Sequence, residues 1–355
     1  MANSSHAKSE ATVMSDGRKP VMGDDTPNIV DDVKRNDCCC TPASDRAKLE
    51  LQAQRASTAT SAKASLSIDK KGAMVSLPGG EFLMGTNYGG GFPQDGEGPV
   101  RPVELSPFQI DTFPVTNADF SAFVDATGYR TEAELFGWSF VFWSHIPVDR
   151  RAELIEDTVA AAPWWCKVSA SFWRQPEGPG SNIENRLQHP VVHVSWNDAS
   201  NYATWASKSL PTEAQWEYAA RGGLVQKLYP WGDELTPDGK HRCNIWQGEF
   251  PKEDTAEDGY AGTSPVDSFP PNAFELYSMT GNVWEWCADW FHASFHSSPM
   301  LRNPAGPTSG QGKVMKGGSF LCHASYCNRY RVAARISNTP DSSSSNIGFR
   351  CVRSN

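Results

Sequence analysis

The sequence predicts a single compact α+β domain of low regular secondary structure behind a polar N-terminal tail, and three observations predict it. Stretches with helical periodicity are few and short, and the remaining apolar runs are strand-length. Gly (29) and Pro (25) punctuate the chain throughout, so much of the backbone is expected to be irregular. An apolar share of 39% with 13 tryptophans supplies a core built from aromatic packing rather than long elements. A chain of 355 residues has room for one large domain or two ordinary ones. No Pro- or Ser-rich linker divides residues 71–355, which are read as one domain, with "PAGPTSGQGK" as a surface loop.

Residues 1–70 are rich in Ser, Ala, Asp, Lys and Arg and nearly free of aromatics. Such a composition buries too little surface to offset chain entropy, so this tail is expected to be disordered, with a short helix over "DRAKLELQAQRA" as the one exception. Order begins near "AMVSLPGGEFLMGTN", where alternating apolar residues flank the turn signal Pro78-Gly79-Gly80 as two strands of a hairpin. "RPVELSPFQIDTFPVT" reads as a further strand. A helix starts at Thr116, with Asp119 three residues on and Phe120, Phe123 and Val124 on its apolar face, and Gly128 ends it. A second helix begins near Ser195, and a third at Thr212, where Thr212 and Gln215 form a capping box. From about residue 225 the chain becomes loops and short strands with no fixed-period repeat.

A formal charge of −9 argues against a nucleic-acid partner, because phosphate neutralisation needs clustered Lys and Arg. No apolar run approaches the roughly 20 residues of a membrane span, and the N-terminus lacks the apolar core of an export signal. A soluble, cytoplasmic protein without a membrane partner is expected. In that compartment the nine cysteines read as thiols. Cys38, Cys39 and Cys40 stand together in the tail, whereas Cys166, Cys243, Cys287 and Cys351 sit among apolar or aromatic neighbours as small buried side chains.

Cys322 and Cys327, in "MKGGSFLCHASYC", are the unusual pair. On a helix their spacing would turn them about 140° apart, but Gly317-Gly318 favours a tight loop that brings both sulfurs to one point. Zinc would want four ligands, and His323 is the only candidate nearby. Two thiolates without further ligands suit Cu(I), and the spacing is equally compatible with a redox disulfide.

Nine stretches carry a family resemblance: "GGEFLMGTN", "VTNADFSAFVDATGY", "AAAPWW", "HPVVHVSWNDA", "LPTEAQWEYAARGG", "NIWQGEFP", "GNVWEWCADW", "KGGSFLCHASYC" and "RYRVAARISNTPDSSSSNIGFRC". In their order and extent, residues 73–353 resemble the formylglycine-generating enzymes, or sulfatase-modifying factors. The resemblance implies a C-type-lectin-like fold poor in regular structure. It also implies an oxidoreductase whose partner is a sulfatase polypeptide with a Cys-x-Pro-x-Arg motif, the cysteine becoming Cα-formylglycine with O2 as co-substrate. By analogy Cys322 and Cys327 hold Cu(I), the target cysteine joins as a third sulfur ligand, a Cβ hydrogen is removed and the resulting thioaldehyde hydrolyses. Each sulfur must lose its proton on assembly. Ser319 is then expected near bound oxygen and Trp284 as a wall against water, with a turn hydrogen bond and core packing as their plain alternatives. His323 is expected to orient a thiolate or carry a proton, and Tyr326 to assist from the same loop. Arg331 and Arg335 are expected to brace acidic loops.

Further positions match the family's structural Ca²⁺ sites. Asn244 and Asp258 supply side-chain oxygens and Ile245 and Tyr260 main-chain oxygens, all hard ligands. A second site matches Ser278, Gly281, Val283 and Glu285, with Ser278 replacing the family's asparagine. The family's secretory disulfides are missing: Ala203 stands opposite Cys351, and Ala220 and Val332 replace another pair. The positions matching the acidic grip on the target arginine are Pro114 and Trp138, neither of them charged. A monomer is expected. Two other classes compete with this reading. One is a lectin-like binding or chaperone module resembling the inactive paralogues, which lack the cysteine pair kept here. The other is an iron-dependent ergothioneine sulfoxide synthase, whose histidine-rich N-terminal domain has no counterpart in a tail containing only His6. Finally, Cys40-Thr41-Pro42-Ala43-Ser44 resembles the target motif with Ser44 in the arginine's place; coincidence or an exposed redox-sensitive cluster is the first reading, and competition of the tail for its own site or a neighbour's is the second.

Overall fold

Local signals set the helices. Thr116, Thr131, Ser195 and Thr212 each accept a hydrogen bond from the backbone N–H three residues on, and the side chain at that position bonds back. They open α1 (Asn117–Thr127), α2 (Glu132–Phe136), α4 (Trp196–Trp205) and α5 (Glu213–Arg221); α3 is a single turn, Arg151–Leu154. The three helices expected from sequence begin where the capping signals put them, and Gly128 ends α1 at φ 67°. In the computed structural model, which describes residues 40–44, 73–294 and 301–354, strands are short and numerous. The first seven are β1 (Met74–Leu77), β2 (Gly80–Met84), β3 (Arg101–Leu105), β4 (Phe108–Asp111), β5 (Trp138–Phe142), β6 (Ile155–Val159) and β7 (Ala162–Ser169). They are followed by β8 (Gly248–Glu249), β9 (Glu253–Asp254), β10 (Trp284–Trp290) and β11 (Leu301–Arg302). The last four are β12 (Lys313–Lys316), β13 (Arg335–Asn338), β14 (Ile347–Gly348) and β15 (Val352–Ser354).

The expected hairpin across Pro78-Gly79-Gly80 does not form. Both strands exist, but β1 pairs with β4 and β2 with β3, in different sheets. Gly79, at φ 68°, packs against the Leu105–Ser106 backbone, where an added Cβ would meet Leu105 O at 2.3 Å, so the turn parts the strands instead of pairing them. The single strand expected over "RPVELSPFQIDTFPVT" is likewise two, β3 and β4, broken at Ser106-Pro107. Sequence reading missed α2 and the antiparallel β5-β7-β6 sheet, in which β5 and β7 are rich in aromatics whereas β6 has none.

Strand order β13-β12-β10-β14 forms the central sheet. β10 runs antiparallel to β12 and parallel to β14, and its Trp284 and Trp286 are fully buried. Beside it lies a buried array of charges. Arg350 donates to both carboxylate oxygens of Glu285 (2.7 and 2.8 Å) and to the carbonyls of Asp111 (3.2 Å) and Tyr277 (2.8 Å), while Trp216 Nε1 adds a bond to Glu285 at 2.7 Å. On α5, Glu217 meets Lys316 (3.1 Å) and Arg221 (2.6 Å), and Glu213 meets Arg335 (2.6 Å). Burial pushes the Glu217 carboxyl up, but Lys316, Arg221 and Arg101 outweigh it and hold it at about 2.

Residues 35–355 form one compact unit, which therefore includes the described tail segment 40–44. Among the described residues no helix is long and apolar enough to cross a membrane. The helix expected at "DRAKLELQAQRA" lies outside the described residues.

Removing Arg350 would leave the Glu285 charge buried without its cation. Arg350→Ala is expected to destabilise the fold by about 3–5 kcal/mol, read as a lower urea midpoint. Arg350→Met combined with Glu285→Gln should recover part of that loss, because no charge is stranded.

Candidate active site

The two cysteines lie in the loop that leaves β12. Gly317 and Gly318 both adopt positive φ (93° and 74°), and a Cβ on Gly318 would stand 3.0 Å from Tyr330 Cα, so the glycines let the loop fold back on itself. Phe320 N donates to Asn282 O (3.0 Å) and Trp246 N to Cys322 O (3.1 Å), clamping the loop to two other segments. Its own turns bond Cys322 N to Ser319 O (2.9 Å) and Cys327 N to His323 O (2.7 Å).

That folding brings the sulfurs together. The Cys327 thiol donates to Cys322 Sγ at 3.0 Å, and Ser319 N donates to the same sulfur at 3.4 Å. The separation is a hydrogen-bonded thiol pair, well beyond the ~2.05 Å of a disulfide. Each residue is 1% exposed, and burial pushes both thiols well above the ordinary range. As donors, two soft, dry sulfurs fit Cu(I) in kind. Among the described residues no three His, Cys, Asp or Glu side chains are grouped to hold a metal ion, which leaves zinc's usual four ligands unmet. The described cysteines are all free thiols.

The other expected residues take distinct places. Trp284 is fully buried in the core cluster that contains both cysteines, and its indole N–H has no hydrogen-bond partner. Ser319 Oγ accepts from Asn346 Nδ2 at 3.0 Å and from Leu321 N at 3.3 Å. The Tyr326 ring stacks on Phe250 (4.4 Å between centroids) and meets Trp164 edge-on (5.3 Å), walling the pocket that Cys322 and Cys327 line. His323 bonds Ser325 Oγ through Nδ1 at 2.7 Å, and burial pushes its pKa down, so the ring is neutral near pH 7. Arg331 and Arg335 brace acidic side chains, Glu97 and Glu213.

Residues 40–44 of the tail lie against this site, with Cys40 lining the pocket. Asn346 Nδ2 donates to Cys40 O (3.1 Å), Asn338 Nδ2 to Pro42 O (3.0 Å), and Ser44 N to Ser342 Oγ (2.8 Å). Arg329, itself paired with Asp95, directs Nη1 at Cys40 Sγ (3.2 Å). Cys40, Thr41, Pro42 and Ser44 are buried. Side-chain amides meeting backbone carbonyls give this segment the partners that its composition did not reveal. Cys38 and Cys39 lie outside the described residues. Asn338, Ser342, Asn346 and Arg329 were missed as site residues, although all four fall within the quoted "RYRVAARISNTPDSSSSNIGFRC" stretch.

Around the expected calcium position, Asp258 Oδ2 accepts from Ile245 N (3.0 Å) and Asp258 Oδ1 from Tyr260 N (3.0 Å). Asn244 is buried and its Oδ1 has no partner, an orphaned acceptor suited to a cation. Gln247 Nε2 bridges Ile245 O and Asp258 Oδ2. The second expected group differs. Glu285 is neutralised by Arg350 from within the protein, Ser278 Oγ donates to Val266 O (3.0 Å), Val283 is buried, and Gly281 N donates to Gly317 O (2.9 Å). A roomier cleft of about 600 Å³ elsewhere, lined by His145, Arg150, Glu177 and Arg186, holds no thiol, and its Arg186–Glu177 ions are already paired.

Residues 60–355 match the sulfatase-modifying factor enzyme 1-like domain family. A formylglycine-generating enzyme of Thermomonospora curvata is 62% identical over 282 residues, which cover 79% of this chain and 92% of that protein. An inactive C-alpha-formylglycine-generating enzyme 2 of Mus musculus is 51% identical over 79% of this chain and 86% of its own. Among solved structures, PvdO from Pseudomonas aeruginosa superposes with a TM-score of 0.57 at 29% identity, covering 79% of this chain and 94% of that one.

Because burial disfavours the thiolates, Cys322 and Cys327 should stay protonated through pH 9 in the metal-free protein. At pH 8 their alkylation by iodoacetamide is expected to be at least about ten-fold slower than that of free cysteine. Rates equal to free cysteine would contradict a dry, metal-free pair.

Proposed function

Since the chain belongs to the sulfatase-modifying factor enzyme 1-like family, we propose that it oxidises a cysteine within a Cys-x-Pro-x-Arg segment of a sulfatase to Cα-formylglycine. The observation that carries this reading is the dry Cys322–Cys327 pair at 3.0 Å, walled by Trp164, Phe250 and Tyr326. Relatives of the chain include an inactive paralogue, so family membership alone leaves a binding module open; the paired thiols favour the enzyme.

Cys322 and Cys327 would hold Cu(I), which supplies reactivity toward dioxygen. Burial keeps the resting thiols protonated, so loading them requires proton release, and a reducing, near-neutral to alkaline medium favours it. Trp284 and the Tyr326–Phe250 stack exclude water from the sulfurs. Arg329 places a cation where an incoming thiol would ionise, and Asn346 couples Ser319 to the peptide backbone entering the cleft. His323, neutral and bonded to Ser325, acts through the turn that presents Cys327 rather than as a charged group.

Cys322→Ser and Cys327→Ser each replace a soft donor with a hard hydroxyl. Both are expected to lower cuprous-ion affinity and peptide oxidation together, by more than the roughly 10–100-fold typical of outer-shell changes. Melting temperature should shift by no more than about 4 °C. Mass spectrometry of a Cys-x-Pro-x-Arg peptide after incubation with protein, copper, oxygen and a thiol reductant provides the test. Full turnover by either variant, or by copper-free parent, would overturn the assignment.

We also propose that Asn244, Ile245, Asp258 and Tyr260 bind a structural Ca²⁺, supported by the unpartnered Asn244 Oδ1. At calcium about a hundred times its dissociation constant, binding should add about 2.7 kcal/mol of stability, lost on chelation and absent in Asp258→Ala. A melting temperature indifferent to chelator would discard the site.

A further inference from the structure

We infer that residues 40–44 are an intrachain substrate of this site, so that Cys40 is itself a modification site; the inference rests on the oxidase reading above. Cys-Thr-Pro-Ala-Ser departs from Cys-x-Pro-x-Arg only at its last position. Its Cys40 lies in the pocket lined by Cys322, Cys327, Ser319 and Tyr326. Four contacts hold the segment by its backbone: Asn346 on Cys40 O, Asn338 on Pro42 O, Ser342 on Ser44 N and Thr339 Oγ1 on Ser44 O. Position 44 is met through its side chain as well, since buried Ser44 Oγ lies 3.2 Å from Ser342 Oγ, a hydroxyl contact in the arginine's place. A guanidinium is therefore dispensable for docking in this chain. Covalent attachment compensates for its loss, because a segment on the same chain meets the site in an intramolecular step.

The retained side chain decides between substrate and plug. A competitor needs only bulk at position 40, whereas here a thiol stands in the pocket lined by Cys322 and Cys327, with Arg329 Nη1 at 3.2 Å from its sulfur. The chemistry balances with dioxygen as oxidant and an added thiol as co-reductant. Dioxygen takes up four electrons and becomes two waters. Two of those electrons come from Cys40 as it loses its S–H and one Cβ–H protons and becomes a thioaldehyde; the other two come from the added thiol, which becomes a disulfide. One water then hydrolyses the thioaldehyde, so that Cβ=O replaces Cβ=S and sulfur leaves as hydrogen sulfide.

The test uses the full chain. In the metal-free state, Cys40 should alkylate at least about ten-fold more slowly than the same cysteine in the free peptide Cys-Thr-Pro-Ala-Ser; equal rates overturn the docking. After addition of cuprous ion, air and dithiothreitol, the fragment containing Cys40 should exchange sulfur for oxygen with loss of two hydrogens and become reactive to an aminooxy probe. Its half-time should be unchanged across about a hundred-fold range of protein concentration, as an intramolecular step requires. Cys322→Ser should abolish the conversion. A half-time that shortens in proportion to concentration, or an aldehyde at Cys38 or Cys39 instead, overturns the inference. Turnover of an added Cys-x-Pro-x-Arg peptide while Cys40 remains a thiol refutes self-modification and leaves the proposed function standing. Failure of both reactions refutes the oxidase reading and this inference with it.

Discussion

The buried pairing of Arg350 with Glu285 is the constraint on which the rest of the structure depends. Both ions are essentially inaccessible to water, so each must be satisfied from within, and Arg350 does this by reaching Glu285 together with the carbonyls of Asp111 and Tyr277. Those contacts join β10 to segments far away in sequence. With β10 fixed, its parallel pairing to β14 sets Trp284 opposite Ile347, and Trp284 N donates to Asn346 O at 2.9 Å. Asn346 in turn holds Ser319. A charge pair outside the pocket is thereby joined, through β10 and Asn346, to the loop that carries the two sulfurs.

Charge satisfaction also explains how a domain of short elements stays specific. Glu213 and Glu217 sit one helical turn apart on α5, and the cations that meet them come from β12, β13 and α5 itself. Misplacing any of those strands would bury an unpaired ion at a cost of several kcal/mol, more than the net worth of most single contacts. Hydrophobic burial supplies the driving force, and the ion pairs select the register.

The dryness of the pocket has two chemical consequences. It raises the energy of the free thiolates, so the resting pair is protonated; it also strengthens any interaction that a bound cation makes with them. The cleft meets the chain segment 40–44 through side-chain amides and hydroxyls aimed at main-chain atoms. Such contacts hold the main chain, and Ser44 Oγ adds one side-chain contact, to Ser342 Oγ.

Much was legible in the sequence because it rests on short-range physics. Thr116, Ser195 and Thr212 cap helices through contacts three residues away, and Gly317-Gly318 announces a tight loop because L side chains disfavour positive φ. The nearness of Cys322 to Cys327 follows from that loop, and the quoted motifs carried the family. Strand partners were not legible: β1 and β2 look like a hairpin, yet each pairs elsewhere, because pairing is settled by which surface buries each strand's apolar face. Nor does any local pattern mark Asn338, Ser342 and Asn346 as a peptide cradle, since the same amides would cap turns in another setting. Sequence by itself determined the starts of α1, α4 and α5, the thiol loop and the motif-like tail. Only tertiary structure decided the strand pairing, the counter-ion of each buried acid and the seating of Cys40, because these depend on groups up to some 300 residues apart meeting where water is excluded.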